Sequence, residues 1–159
     1  MSLSIGSKVP AFTVVDTEKQ TITNETIKGQ ATLILFFPAA FTGVCTKELC
    51  SVRDDIAKYN SAKVNVIGIS TDTIFTLGKY KEEQGLNFTL ASDYNKEVCG
   101  AFGSQYVEFV LGMKGTAKRS AFLIDAEGVV KYAEVLESAG DIPNFEAINA
   151  AIENLAVNA

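Results

Sequence analysis

Histidine and tryptophan are both missing from these 159 residues. Without histidine there is no Cys–His nucleophile pair, no Ser–His–Asp triad, no histidine-ligated haem and none of the usual zinc sites. Neither a metal nor a cofactor is expected. A long apolar run is missing too. The longest, Ala31 to Phe41, is interrupted by Thr32 and Pro38 and falls short of the ~20 residues that a membrane span needs. The first residues carry no basic stretch followed by an apolar one, so no signal peptide and no membrane partner are expected. Cysteine is scarce: Cys45, Cys50 and Cys99 form an odd set. With no export signal, that set points away from a disulfide scaffold. It points towards a reducing, cytoplasmic setting in which one or more thiols are kept for reactivity. Positive charge is in deficit, with 14 Lys and Arg against 19 Asp and Glu. Phosphate neutralisation needs clustered basic residues, so nucleic acid is not an expected partner.

What is present suits one folded unit. Apolar residues make up 47% and charged residues 21%, enough for a real core and too apolar for a disordered chain. No repeat, linker or low-complexity tract divides the chain, so residues 1–159 are expected to form a single domain. Phe12–Asp16 reads as a short strand, followed by a polar turn near Glu18 and Lys19. Ala31–Phe37 is a continuous apolar strand of the kind covered on both faces, ended by Pro38. Cys45, Leu49, Val52, Ile56 and Tyr59 recur at steps of four and three, which predicts a helix over Val44–Tyr59 with Thr42 or Gly43 as N-cap.

Lys63–Ile69 is another buried strand. Asp72 or Thr73 then caps a helix that runs to about Gln84 and stops at Gly85. Asn87–Leu90 reads as a strand, Tyr94–Phe102 as a helix and Gly103–Ala117 as a loop. Arg119–Asp125 and Val129–Leu136 flank an Asp-Ala-Glu-Gly turn and should pair as an antiparallel hairpin. Pro143, then Phe145, Ile148, Ile152 and Leu155, predict a closing amphipathic helix. The alternation predicts a three-layer α/β/α domain with a mixed central sheet, whose strand order the pattern leaves open.

Cys45 falls where the strand Ala31–Phe37 hands over to a helix, and the carboxyl ends of strands are where open α/β sheets bind ligands. In the first helical turn its sulfur faces unpaired backbone N–H groups and the positive end of the helix dipole, and both favour a thiolate. A free cysteine on an apolar helix face is equally well a packing residue, and spacing alone leaves both readings open. Thr42, three residues upstream, places a hydroxyl near the sulfur, and Pro38 offers a rigid wall without an N–H.

The segment Pro38-Ala39-Ala40-Phe41-Thr42-Gly43-Val44-Cys45 matches Pro-x-x-x-Thr-x-x-Cys and resembles the active-site motif of the peroxiredoxins. The likeness extends over nearly the whole chain. Gly6-Ser7-Lys8-Val9-Pro10-Ala11-Phe12 resembles the family's opening, and Arg119-Ser120-Ala121-Phe122-Leu123-Ile124-Asp125 resembles its later arginine-strand motif. Cys45-Thr46-Lys47-Glu48-Leu49-Cys50 is similar to the bacterioferritin-comigratory, Q-type branch. Val135 and the acidic stretch before Pro143 are similar to the single-domain AhpE-like branch. The resemblance implies a thioredoxin-like fold with an N-terminal β extension.

It also implies a thiol-dependent peroxidase, acting on hydrogen peroxide and organic hydroperoxides and recycled by thioredoxin or another thiol reductant. Carried over, Cys45 is the peroxidatic nucleophile, Thr42 and first-turn amides hold the peroxide, and Arg119 stabilises the thiolate and the leaving oxygen. Pro38 shields the pocket, and Glu48 matches a polar position that often bonds the pocket threonine. Cys50 is the candidate resolving thiol, with an external thiol as the alternative. In an intact helix the two Cα atoms stand about 8.7 Å apart, beyond the ~7 Å that a disulfide spans, so a Cys45–Cys50 bond requires the first turn to unwind. Cys99 matches no resolving position and reads as a packing thiol. Phe41 is either core or part of a dimer interface. A homodimer or monomer is expected rather than a ring, because no C-terminal extension with a second cysteine follows.

Rival readings fit less well. A thioredoxin-like disulfide reductase wants Cys-x-x-Cys where this chain has Cys-x-x-x-x-Cys, a glutathione-peroxidase-like enzyme is expected to carry a tryptophan, and a copper-delivery redoxin wants Cys-x-x-x-Cys and a histidine. A redox sensor or thiol-regulated binding protein remains open as a second role.

Overall fold

The computed structural model describes residues 3–157; the outermost residues of the expected 1–159 domain lie outside the described residues. The apolar run after Gln30 forms β3 (Ala31–Phe36) at the centre of a seven-stranded sheet. Its other strands are β1 (Thr13–Asp16), β2 (Thr21–Thr23), β4 (Val64–Ser70), β5 (Thr89–Ser92), β6 (Ser120–Ile124) and β7 (Val130–Val135). The order across the sheet is β2-β1-β5-β4-β3-β6-β7. β3, β4 and β5 run parallel, whereas β1, β2, β6 and β7 are joined by antiparallel pairings. The sheet is therefore mixed, as expected, and the β1–β2 hairpin is the N-terminal extension added beyond β5.

β3 shows why a continuous apolar run suits a central strand. Successive side chains point to opposite faces, and here both faces are packed. Leu33 and Leu35 join one cluster, and Ile34 and Phe36 join the other. The first cluster is covered by α1 (Gly43–Asp54), α2 (Ile56–Ser61), α3 (Ile74–Gln84) and α5 (Phe145–Val157), through Leu49, Val52, Tyr59, Leu77, Tyr80 and Ile148. The second is covered by α4 (Glu97–Ala101), through Val98 and Cys99, with Phe12, Ile27 and Phe102. Among the described residues no helix is long and apolar enough to cross a membrane.

Several element boundaries differ from the sequence reading. The helix expected over Val44–Tyr59 is two helices, α1 and α2. Asp55 leaves helical geometry at φ −102°, ψ 10°, while the apolar stripe of Val52, Ile56 and Tyr59 continues across the break, so the period alone hides it. Strand β2 was not expected, because Thr21–Thr23 is polar and at the sheet edge. The strand expected over Asn87–Leu90 lies two residues later, because Ala91 and Ser92 pair with Ile69 and Ser70. The helix expected over Tyr94–Phe102 shrinks to α4, since Lys96 takes a left-handed φ of 65°. The loop after Gly103 contains a short 3₁₀ turn at Val110–Gly112.

Of the two candidate caps for α3, Thr73 is the N-cap, its Oγ1 accepting from the Thr76 amide at 3.2 Å, and Gly85 closes the helix at φ 60°. The expected hairpin turn holds: the Gly128 amide donates to Asp125 O at 3.0 Å, with Gly128 at φ 86°.

Gly68 of β4 sits where the layers press hardest. A Cβ there would lie 2.7 Å from Leu90 Cδ2 and 3.4 Å from the Phe37 ring. Both neighbours are fully buried, so neither has room to turn away. Gly68→Ala is expected to lower unfolding free energy by about 1–3 kcal/mol, read as a lower urea midpoint at unchanged m-value.

Candidate active site

β3 ends at Phe36, Pro38 is buried beyond it, and the chain turns through Ala39–Thr42 before α1 begins. The turn forces Phe41 into the left-handed region at φ 65°. Asp72 ties it down from the β4–α3 connection, its Oδ2 accepting from the Ala40 amide at 2.8 Å and from Ser70 Oγ at 2.7 Å. Thr42 is the N-cap of α1, but its hydroxyl makes no capping bond. It donates instead to Ala39 O at 2.7 Å, which leaves the oxygen lone pairs free to accept.

Cys45 falls in the first turn of α1 and is 1% exposed. Arg119 lies just before β6, and the antiparallel register sets Ser120 opposite Phe36. That register carries Arg119 to the carboxyl end of β3, beside the start of α1. Its guanidinium is 1% exposed and fully engaged at one end. Nη2 donates to Cys45 Sγ at 3.1 Å and to Ala139 O at 3.0 Å, and Nη1 donates to Glu48 Oε1 at 2.7 Å. Glu48, three residues after Cys45, shares its helix face and is fully buried.

The structure thus brings Cys45, Arg119 and Glu48 into one buried cluster, with Thr42 and Pro38 on the loop that leads into it. The guanidinium sets a cationic N–H donor against the sulfur in a place closed to water. Burial works against the charge of Arg119, but the Cys45 sulfur and the Glu48 carboxylate outweigh it and push its pKa above the ordinary range. Burial also dominates at Glu48. It pushes the carboxyl up to about 7, against the opposing pull of Arg119, and Glu134 adds to the rise. Glu48 Oε2 and Arg119 Nε have no hydrogen-bond partner among the described residues.

Two readings are settled. Glu48 bonds Arg119 and not the pocket threonine: its carboxylate is buried beside the guanidinium whereas Thr42 stands exposed at the loop. Phe41 is not core: it is 51% exposed, its ring resting on Tyr80 with centroids 5.0 Å apart.

Cys50 is free and half-buried on the intact α1, and its Sγ donates to Gln84 Oε1 at 3.6 Å. Cys99 packs in the cluster on the far face of the sheet, where burial first and Asp93 second push its thiol up to about 12. A cavity of about 900 Å³ lies at the other end of the sheet, where Ala31 and Val64 start β3 and β4. Neither cysteine nor arginine lines it, so it is separate from the buried Cys45–Arg119–Glu48 cluster. The sequence reading missed Asp72, Tyr80, Thr46 and Ala139 as parts of this neighbourhood. Only Asp72 carried a signal, as a candidate helix cap, and it serves here to anchor the loop instead.

A model of the AhpC/TSA family matches residues 5–133. The chain is 35% identical to peroxiredoxin Bcp of Escherichia coli K12 over 131 residues, covering 82% of this chain and 84% of that one. Among solved structures it resembles peroxidoxin BcpB from Mycobacterium tuberculosis, with TM-score 0.81, 26% identity and coverage of 98% and 97%. It also resembles a peroxiredoxin-like protein from Aquifex aeolicus, with TM-score 0.85, 26% identity and coverage of 98% and 89%.

The raised Glu48 pKa has a stability consequence with a fixed sign. Between pH ~4.5 and ~7 the unfolded chain releases this proton and the folded chain keeps it. The Glu48 contribution is therefore full below pH ~4.5 and is lost as pH rises through ~7. The stability of wild type minus that of Glu48→Gln, measured by urea unfolding across pH 4.5 to 7.5, is expected to fall steadily with rising pH. A flat difference would show that Glu48 ionises in the folded protein as it does in the unfolded one.

Proposed function

Because the chain belongs to the AhpC/TSA family and is a thiol-dependent peroxidase, we propose that Cys45 is the sulfur that attacks the peroxide. The observation that carries this reading is the Arg119 Nη2 to Cys45 Sγ hydrogen bond of 3.1 Å, made where both groups are buried. The substrates are hydrogen peroxide and organic hydroperoxides. The thiolate attacks the distal peroxide oxygen, the S–O bond forms as the O–O bond breaks, and Cys45 becomes a sulfenic acid. The departing alkoxide or hydroxide carries the negative charge that the thiolate brought and takes up one proton.

Each neighbour has a part. Thr42 Oγ1, with its own proton given to Ala39 O, accepts a hydrogen bond from the peroxide O–H. First-turn amides of α1 have no intrahelical partner and offer donors to the peroxide oxygens. Arg119 stabilises the charge on the leaving oxygen. Glu48 and Ala139 O hold the guanidinium so that Nη2 points at the sulfur. Pro38, buried behind the loop, keeps water from the thiolate.

Resolution is by Cys50. Its thiol displaces hydroxide from the sulfenic acid to give the Cys45–Cys50 disulfide and water. Both cysteines stand in one turn-and-a-half of wound helix, so α1 must open first. Thioredoxin or another thiol then reduces the disulfide. The same wound helix supports a second reading, in which an external thiol resolves Cys45 directly. The working unit is a cytoplasmic monomer or homodimer.

One equivalent of hydrogen peroxide, followed by intact mass and peptide mapping, tests the assignment. Wild type should lose two hydrogens at Cys45–Cys50, Cys50→Ser should stop at a Cys45 sulfenic acid, and Cys45→Ser should not react. Cys45 left unoxidised beside reacting free thiols would refute the assignment. Arg119→Met should lower kcat/KM for peroxide about 10²–10³-fold, the typical cost of losing one preorganised donor.

A further inference from the structure

Helix α1 is held from the side by α3 at two points that flank the turn between Cys45 and Cys50. Thr46 Oγ1 and Tyr80 Oη share a hydrogen bond of 2.8 Å. One turn further on, Cys50 Sγ donates to Gln84 Oε1. Tyr80 and Gln84 are four apart on α3 and so share a face, as Thr46 and Cys50 do on α1. Tyr80 is fully buried, and Phe41 of the entry loop lies across its ring. One side chain therefore contacts both the loop that leads into α1 and the residue next to Cys45. Arg53 Nη1, donating to Gln84 O at 2.6 Å, fastens the far end of α1 to the same helix.

The wound helix keeps the two sulfurs apart, so each of these contacts opposes resolution. We propose that Tyr80 is a positioning residue that keeps α1 wound through Thr46 and thereby sets how long the Cys45 sulfenic acid waits for Cys50. This rests on Cys50 as the resolving thiol. During that wait a second hydroperoxide competes. The Cys45 sulfenate takes one oxygen from it to become a sulfinate, and the hydroperoxide leaves as alcohol or water. Tyr80 thus decides how the sulfenic acid divides between a reversible disulfide and irreversible sulfinate. Burial pushes the Tyr80 phenol up to about 12, so the hydroxyl keeps its proton at working pH and the latch does not open by deprotonation.

The test uses reduced full-length protein, rapid mixing with hydrogen peroxide and acid quench, with intact mass separating sulfenic acid, disulfide and sulfinate. Tyr80→Phe keeps the ring and its packing on Phe41 but loses the hydroxyl. It should form sulfenic acid at the wild-type rate and disulfide about fivefold faster, as expected for one neutral hydrogen bond lost. At peroxide levels where resolution still outruns over-oxidation, the sulfinate fraction should fall by a similar factor. Thr46→Val removes the same bond from the other side and should match it, and the double variant should go no further than either single one. Additive effects, or slower sulfenic acid formation, would mean general loosening and overturn the latch. If wild type forms the Cys45–Cys50 disulfide and Tyr80→Phe resolves at the wild-type rate, the latch alone is wrong. If wild type forms no such disulfide, the resolving role of Cys50 falls and the latch with it.

Discussion

The guanidinium of Arg119 is buried beside a sulfur that lies 74 residues away along the chain, and the site depends on that placement. Burying a cation is costly unless it is paired and hydrogen-bonded. Here one carboxylate, one carbonyl and the Cys45 sulfur take up the donors at its Nη ends. What holds the arginine there is strand pairing. β6 runs antiparallel to β3 with Ser120 opposite Phe36, so the residue before β6 must arrive where β3 gives way to α1. A slip of one residue in that register would turn Arg119 to the other face of the sheet. The contact between Arg119 and Cys45 is thus a consequence of how a fully buried central strand selects its neighbour.

The same burial sets the electrostatics. Away from water, charges act on each other more strongly than at a surface, and the Glu48–Arg119 pair is nine-tenths or more hidden on both sides. Glu48 pays for that position with a carboxyl that gives up its proton only near neutrality. Thr42 is the counterpart at the loop, exposed and with its hydroxyl proton already committed to Ala39 O. The candidate site thus sets a buried cation against the sulfur and an exposed hydroxyl on the loop that leads into α1.

Helix α1 meets two opposed demands. Wound, its first turn sets unpaired amides and the positive end of a helix dipole beside Cys45. Unwound, it would let Cys50 approach. The contacts from α3 at Thr46 and Cys50 weigh on the first side. The break at Asp55 leaves α1 a separate twelve-residue helix, so opening its early turns need not disturb α2.

Much of this was legible in the residues themselves. The buried strands, the start of α3 at Asp72 or Thr73 and its stop at Gly85, the Asp125–Gly128 hairpin and the passage from Pro38 to Cys45 follow from local patterning, because apolar period, caps and turn residues act over a few positions. The break at Asp55 was not legible, since the apolar period runs through it. β2 was not, because a polar edge strand needs its partner to exist. The pairing of Glu48 with Arg119, the exposure of Phe41, and Tyr80 against Thr46 were hidden for a different reason: they depend on the order that sets β6 beside β3 and on the packing of α3 against α1. By itself the sequence determined the candidate residues and the elements near which they lie. Only the tertiary structure decided which of them meet, because contacts between distant segments are chosen by sheet order and register, and local patterning does not encode either.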